Sequence, residues 1–214
     1  MNEDEAWKLI HDHRVRLTDV LVDLSEQEWR SESLCPGWTV RDVAAHLTFA
    51  EGRVPSIGAG LVALARSRGN LDEAIRDSAV RRTWPTERII AAIRAMIGSN
   101  RHAPGVTSRE TMIDILVHGQ DMMLPLDRQL KINPAAAAEA ANRVWLKDHF
   151  DARTKTAGFR LAATDMDWSV GAGPEVHARM EDLLLLVCGR LVVLPQLAGA
   201  GAHDLTRRFH TVSG

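Results

Sequence analysis

The sequence holds only two cysteines, Cys35 and Cys188, far apart and in no C-x-x-C pair. This excludes a disulfide framework and a cysteine zinc site, and both residues are expected to be thiols. A basic excess is also missing: 26 Lys and Arg stand against 28 Asp and Glu, for a net charge of -2. Nucleic-acid partners are not expected at that balance. No hydrophobic run is long enough to cross a bilayer, since the longest, LLLLVCGRLVVL, is broken by Gly189 and Arg190. No membrane span is therefore expected, and the acidic opening MNEDEAW resembles neither a secretory signal nor a transit peptide. A cytoplasmic location is the expectation. Internal repeats are absent as well. What remains, with 45% hydrophobic and 25% charged residues over 214 positions, is the composition of a globular protein able to bury a core.

Helical spacing dominates the first part of the chain. Ala6, Ile10, Leu17, Val20 and Leu24 recur at intervals of three and four over residues 4–24, with His13 on the same stripe. His13 reads either as a half-buried histidine held by hydrogen bonds, the plainer expectation, or as a residue lining a site. A second helix begins after Pro36-Gly37, with Thr39 as N-cap, Asp42 three residues on as in a capping box, and Trp38 placed to staple onto Val43. A third helix is expected over Thr86 to Ser99, a fourth from about Thr107, and a further one over 134–147, where proline opens a run of strong helix formers. The charged, weakly periodic segment from Arg66 to Arg82 reads as a long crossover.

After Thr156 the pattern changes to alternation at Phe159, Leu161 and Ala163, and again at Trp168 and Val170 before a GAGP turn, which predicts two short strands. A helix from about His177 to Cys188 and a Gly/Ala-rich stretch, AGAGAHDL, follow. The fold class is thus mainly α: a domain of four or five helices over 1–152 and a small α+β domain over 153–214.

Two stretches carry chemistry. In SLCPGWTVRDVAAHL, Val43, Leu47 and Ala50 define a buried stripe, and His46 lies on it. In TSRETMIDILVHGQDMM, Thr111, Asp114, His118 and Asp121 form a polar stripe much narrower than a solvated face would need. It is either a thin solvent strip or an internal polar site. Asp114 and His118 are four apart, so they project from successive turns toward the same side and can share one metal ion. With His46 they make a three-ligand set that leaves a position open for water or substrate, as in catalytic zinc sites. The same set also fits ferrous oxygenases; zinc is the first choice, and closure of the site by Asp42 competes with its capping role. Cys35, just before a helix start, is either a nucleophile or a packed loop thiol without a base nearby in sequence.

The CPGWTVRDVAAHL stretch, the later D-x-x-x-H-x-x-D and the tail ATDMDWSVGAGPEV with its helix ending CGR resemble the mycothiol-dependent maleylpyruvate isomerase family. The resemblance implies a DinB-like four-helix bundle carrying a divalent metal, usually zinc, and a small C-terminal domain that closes over it. It implies His46, Asp114 and His118 as metal ligands and Arg190 as a residue needed for activity; by its own chemistry Arg190 either pairs with a carboxylate of the substrate or a carbonyl of the cofactor, or is a cation beside the last carbonyls of its helix. The family's isomerase has glutamate at the position of Asp114. The function implied is a mycothiol-dependent metalloenzyme, an isomerase of maleylpyruvate type or a thiol S-transferase acting on a small electrophile. The alternative is a non-catalytic metal-holding or ligand-binding module.

Overall fold

In a computed structural model of the chain, residues 1–51 and 84–212 are described. The crossover expected at 66–82 lies outside them. The contacts divide the chain into two compact units, Met1–Lys131 and Ile132–Gly214.

The first unit is built from α1 (Glu3–Val22), the short α2 (Glu26–Arg30), α3 (Val40–Leu47), α4 (Thr86–Arg94) and α5 (Ser108–Met123). Local chemistry sets where they begin. Asn2, Ser25, Thr39 and Thr107 each close a capping box with the glutamate or aspartate three residues later. Helix α5 packs on α1 and α3, and α4 packs on the same two, so four helices close a ring: a four-helix bundle. Its core is the apolar stripe of each member, including Ile10, Leu17 and Leu21 of α1, Val43 and Leu47 of α3, Ile89 and Ile93 of α4, and Met112, Leu116 and Met122 of α5. Burying each such side chain contributes about 1.5–3 kcal/mol. That drive orients the helices, and the polar residues on the same faces are carried inward with them.

The second unit contains α6 (Pro134–Lys147), α7 (Ala152–Lys155), β1 (Arg160–Ala163), β2 (Ser169–Gly171), β3 (Glu175–Ala178), α8 (Met180–Val187) and α9 (Ala202–Val212). Its sheet runs in the order β2-β1-β3, with β1 antiparallel to β2, Leu161 opposite Val170, and parallel to β3, Leu161 opposite Val176. The turn between β2 and β3 uses Gly171 and Gly173 at positive φ, where a side chain on Gly173 would run into the Gly158 carbonyl.

Three features differ from the sequence expectation. The helix expected from His177 starts at Met180, because His177 belongs to a third strand whose Val176 and Ala178 alternate into the core. Helix α9, Ala202–Val212, begins inside the Gly/Ala-rich stretch and continues past it, where no helix was expected. The division falls at Lys131, earlier than residue 152, because α6 packs on α8 in the second unit and Trp168 donates its indole N–H to Asn142 of α6 at 2.9 Å. No helix among the described residues is long and apolar enough to cross a membrane.

Candidate metal centre

The approach to α3 is a tight turn. Pro36 and Gly37 occupy its two central positions, Gly37 at φ 75°, and Trp38 N–H donates to the Cys35 carbonyl at 3.0 Å. The turn is fastened to the bundle by Leu34 N–H, which donates to the Asp121 carbonyl at the far end of α5 at 2.9 Å. Thr39 then caps α3: its hydroxyl accepts from Asp42 N–H at 3.2 Å, and the Asp42 carboxylate accepts from Thr39 N–H at 2.9 Å and from its hydroxyl at 2.6 Å. Asp42 is thereby committed to the cap and lies apart from the cluster formed one turn of α3 further along.

There His46 meets α5. Its Nε2 lies 3.2 Å from Asp114 Oδ1, and the same oxygen lies 3.5 Å from His118 Nε2. The two imidazoles stand edge to face, centroids 5.0 Å apart, and Trp38 closes the other side of His46 edge-on at 5.5 Å. One ligand atom from each of His46, Asp114 and His118 lies within 4.8 Å of the others, a spacing that a single cation can bridge. The cluster is not sealed: the side chains of Asp114, His118 and His46 are 30%, 19% and 18% exposed.

Its electrostatics keep the central carboxylate ionised. Burial pushes the Asp114 carboxyl up, but the charge and hydrogen bond of His46, then the charges of His118 and Arg14, hold it below the ordinary aspartate range. Burial likewise disfavours charge on His46, and the Asp114 carboxylate outweighs it, so the imidazole is raised above its usual value. A carboxylate that stays ionised between two imidazoles is a ready cation site.

The polar stripe on α5 is buried at its two ends, with Thr111 3% and Asp121 0% exposed, and partly open between them at Asp114 and His118. Spacing missed what Asp121 does. Its Oδ2 accepts from His118 Nδ1 at 2.9 Å and from the Cys35 thiol at 3.2 Å, and Cys35 Sγ lies 3.7 Å from the same imidazole nitrogen. An Nδ1 proton given to Asp121 leaves the Nε2 lone pair facing Asp114, the arrangement that orients metal-bound histidines. Cys35 therefore does have an imidazole and a carboxylate beside it, contributed by residues distant in sequence. Both cysteines remain thiols.

Two further residues have simpler surroundings. His13 is fully buried on α1, apart from the cluster, with its Nε2 so near Gly119 that a Cβ there would lie 3.1 Å away. The hydrogen bonds expected of it are absent among the described residues. Arg190 follows α8 through Gly189 at φ 81°; its backbone N–H donates to Leu185 O at 2.9 Å and its Nη1 to Cys188 O at 2.8 Å. Those bonds cap the helix's last carbonyls.

A four-helix bundle whose facing helices contribute two histidines and one aspartate to a common point is a DinB-like bundle with a candidate metal centre. Residues 10–103 match the model of the mycothiol maleylpyruvate isomerase N-terminal domain. Two solved structures share the fold. One is a histidine-to-alanine mutant of the mycothiol-dependent maleylpyruvate isomerase, with TM-score 0.54 and 11% identity over 89% of this chain and 90% of that one. The other is a further crystal structure of the mycothiol-dependent maleylpyruvate isomerase, with TM-score 0.51 and the same identity and coverage. No curated protein matches the chain by sequence.

Proposed function

We propose that the protein is a cytoplasmic, mycothiol-dependent metalloenzyme that isomerises maleylpyruvate or a related small electrophile, or transfers the thiol to it. The observation that carries this reading is the convergence of His46, Asp114 and His118 within 4.8 Å on a partly exposed wall of the bundle. The donor set fits zinc: two imidazole nitrogens and one ionised carboxylate, with room for a further ligand. Bound there, zinc would supply the Lewis acidity that keeps a coordinated thiol deprotonated near neutral pH.

The chain's own residues do the rest. His46 and His118 present Nε2 to the cation, Asp114 supplies the anionic ligand, and Asp121 holds the His118 proton on Nδ1. Trp38 limits the motion of the His46 ring. Arg190 recognises a carboxylate of the substrate or a carbonyl of the thiol cofactor, a contact that its fixed fork of donors suits. An electrophile poised to eliminate returns as the isomer, and one that is not keeps the thiol.

Metal analysis combined with a mycothiol-dependent assay on maleylpyruvate tests the reading. About one divalent ion per chain is expected, lost from His46→Ala and His118→Ala because each removes one of three ligands. Arg190→Ala should keep its metal and lose on the order of ten- to a hundred-fold in kcat/KM, the scale of one charge-assisted contact. Equal metal in wild type and both histidine variants removes the site. Metal without thiol-dependent turnover leaves a metal-holding module.

A further inference from the structure

Arg14 is an unusual occupant of a bundle interior. It lies on α1, next to the fully buried His13, and is itself only 1% exposed. One end of its guanidinium is plainly engaged. Nη1 donates to the Met96 carbonyl at 2.7 Å and reaches the Ser99 carbonyl at 3.5 Å, closing the chain just past α4. This is helix-end capping by an arginine, and it accounts for Nη1 alone.

The other edge is unaccounted for. Nε and Nη2 are both buried, and neither has a hydrogen-bond partner among the described residues. The N–H bonds of these two nitrogens run parallel along one side of the guanidinium, and that side grips a carboxylate through two hydrogen bonds at once. Leaving such donors buried and empty is costly, so an edge of this kind calls for an occupant. Two carboxylates are near enough for their charges to favour the guanidinium, Glu51 and Asp114, but neither fills the edge. The influence is mutual, because Arg14 helps keep Asp114 ionised. The guanidinium charge and the Asp114 carboxylate of the cluster thus lie within electrostatic reach of one another.

We infer that the Nε–Nη2 edge of Arg14 is a carboxylate-recognition site, gripping one carboxylate of a small dicarboxylic acid whose reacting centre sits at the His46–Asp114–His118 cluster. The inference rests on the functional reading above and deepens it by assigning the substrate class a second anchor. A singly charged carboxylate suits the place better than a phosphate dianion, since Asp114 and Glu51 already bring negative charge to the same region. Burial supplies the strength, because a bidentate pair shielded from water is screened little by salt.

The test uses the full-length, zinc-loaded protein with maleate as probe and neutral maleamide as control. In protein labelled with 15N-arginine, the Arg14 Nε–H resonance, assigned by through-bond correlation to the backbone of α1, should move on titration with maleate and stay still with maleamide. By calorimetry, Arg14→Gln and Arg14→Lys should each bind maleate about ten- to a hundred-fold more weakly at unchanged zinc content, since a lysine point charge cannot replace the two parallel donors. A wild-type resonance unmoved by saturating maleate, no maleate binding at all, or equal affinity in the variants overturns the assignment. The wild-type resonance decides the matter even where a variant fails to fold. Arg14-dependent maleate binding without turnover of maleylpyruvate would remove the proposed function and keep the site. Turnover with Arg14-independent maleate binding would do the reverse.

Discussion

His13 on α1 and His46 on α3 lie inside the same four-helix bundle and are handled in opposite ways. His13 is fully buried with both ring nitrogens unpartnered among the described residues, and burial, reinforced by the charge of Arg16, lowers its pKa to about 3. Burial pushes His46 in the same direction, yet the Asp114 carboxylate at 3.2 Å reverses the outcome. The difference between a silent core imidazole and a chemical one is thus a carboxylate within reach, not depth in the bundle. A second contrast lies within the cluster. His118 has its outer nitrogen tied to Asp121, whereas His46 Nδ1 is buried with no partner among the described residues, so His46 is held by packing and by the start of its helix.

The largest effect should come from breaking the tie that His46 lacks. Asp121→Asn keeps the shape and removes the anion that fixes the His118 tautomer, and zinc affinity should fall about ten- to a hundred-fold. Competition against a chromophoric chelator measures it. Unchanged affinity would mean that packing alone orients both histidines, and the contrast between them would disappear.

Acid should sharpen the comparison from the other side. His13 has a folded pKa of about 3 against an ordinary 6.5 when unfolded. Above 6.5 it is neutral in both states and contributes no pH dependence. Between 6.5 and 3 only the unfolded chain binds the proton, so stability is lost as pH falls, by about 1.4 kcal/mol per pH unit and about 2 kcal/mol by pH 5. Denaturant unfolding of metal-free protein at pH 7.5 and pH 5 should show this loss in wild type, and His13→Leu should lack that share of it. Equal pH dependence in the two would show that His13 has a partner after all.

How much of this was legible in the sequence follows from the range of each interaction. Thr39 with Asp42, Thr107 with Glu110 and Pro134 announce helix starts through residues three positions away or fewer, and all three starts are found. The four-residue spacing of Asp114 and His118 shows that they share a side, and the apolar stripe carries His46 inward to meet them. The Cys35–Asp121 and Cys35–His118 contacts span 86 and 83 positions, and no local pattern encodes them. The third strand escaped because Val176 and Ala178 are too few to distinguish alternation from the start of a helix. An arginine on an amphipathic helix ordinarily faces water, so nothing in its neighbours marked Arg14 as buried.

The smallest expected effect concerns the cap of α3, and it asks what holds His46. Thr39→Ala removes the hydroxyl that accepts from Asp42 N–H and donates to the Asp42 carboxylate, leaving one bond of the capping box, from Thr39 N–H to Asp42. Loss of a threonine cap costs about 1 kcal/mol, which should appear as a modest fall in Tm. The metal centre should feel little of it. His46 sits seven residues beyond Thr39, and Val43 and Leu47 on either side of it along α3 are buried to within 1%. Fraying of the first turn would have to pull both from the core before the imidazole moved. Zinc affinity in Thr39→Ala should therefore change by less than about tenfold, below the loss in Asp121→Asn, because the whole cap is worth less than the roughly 1.4 kcal/mol that tenfold requires. A metal defect in Thr39→Ala as large as that of Asp121→Asn would mean that the position of His46 is set at the Thr39 cap, and that the two histidines are each held by one specific hydrogen-bonded anchor.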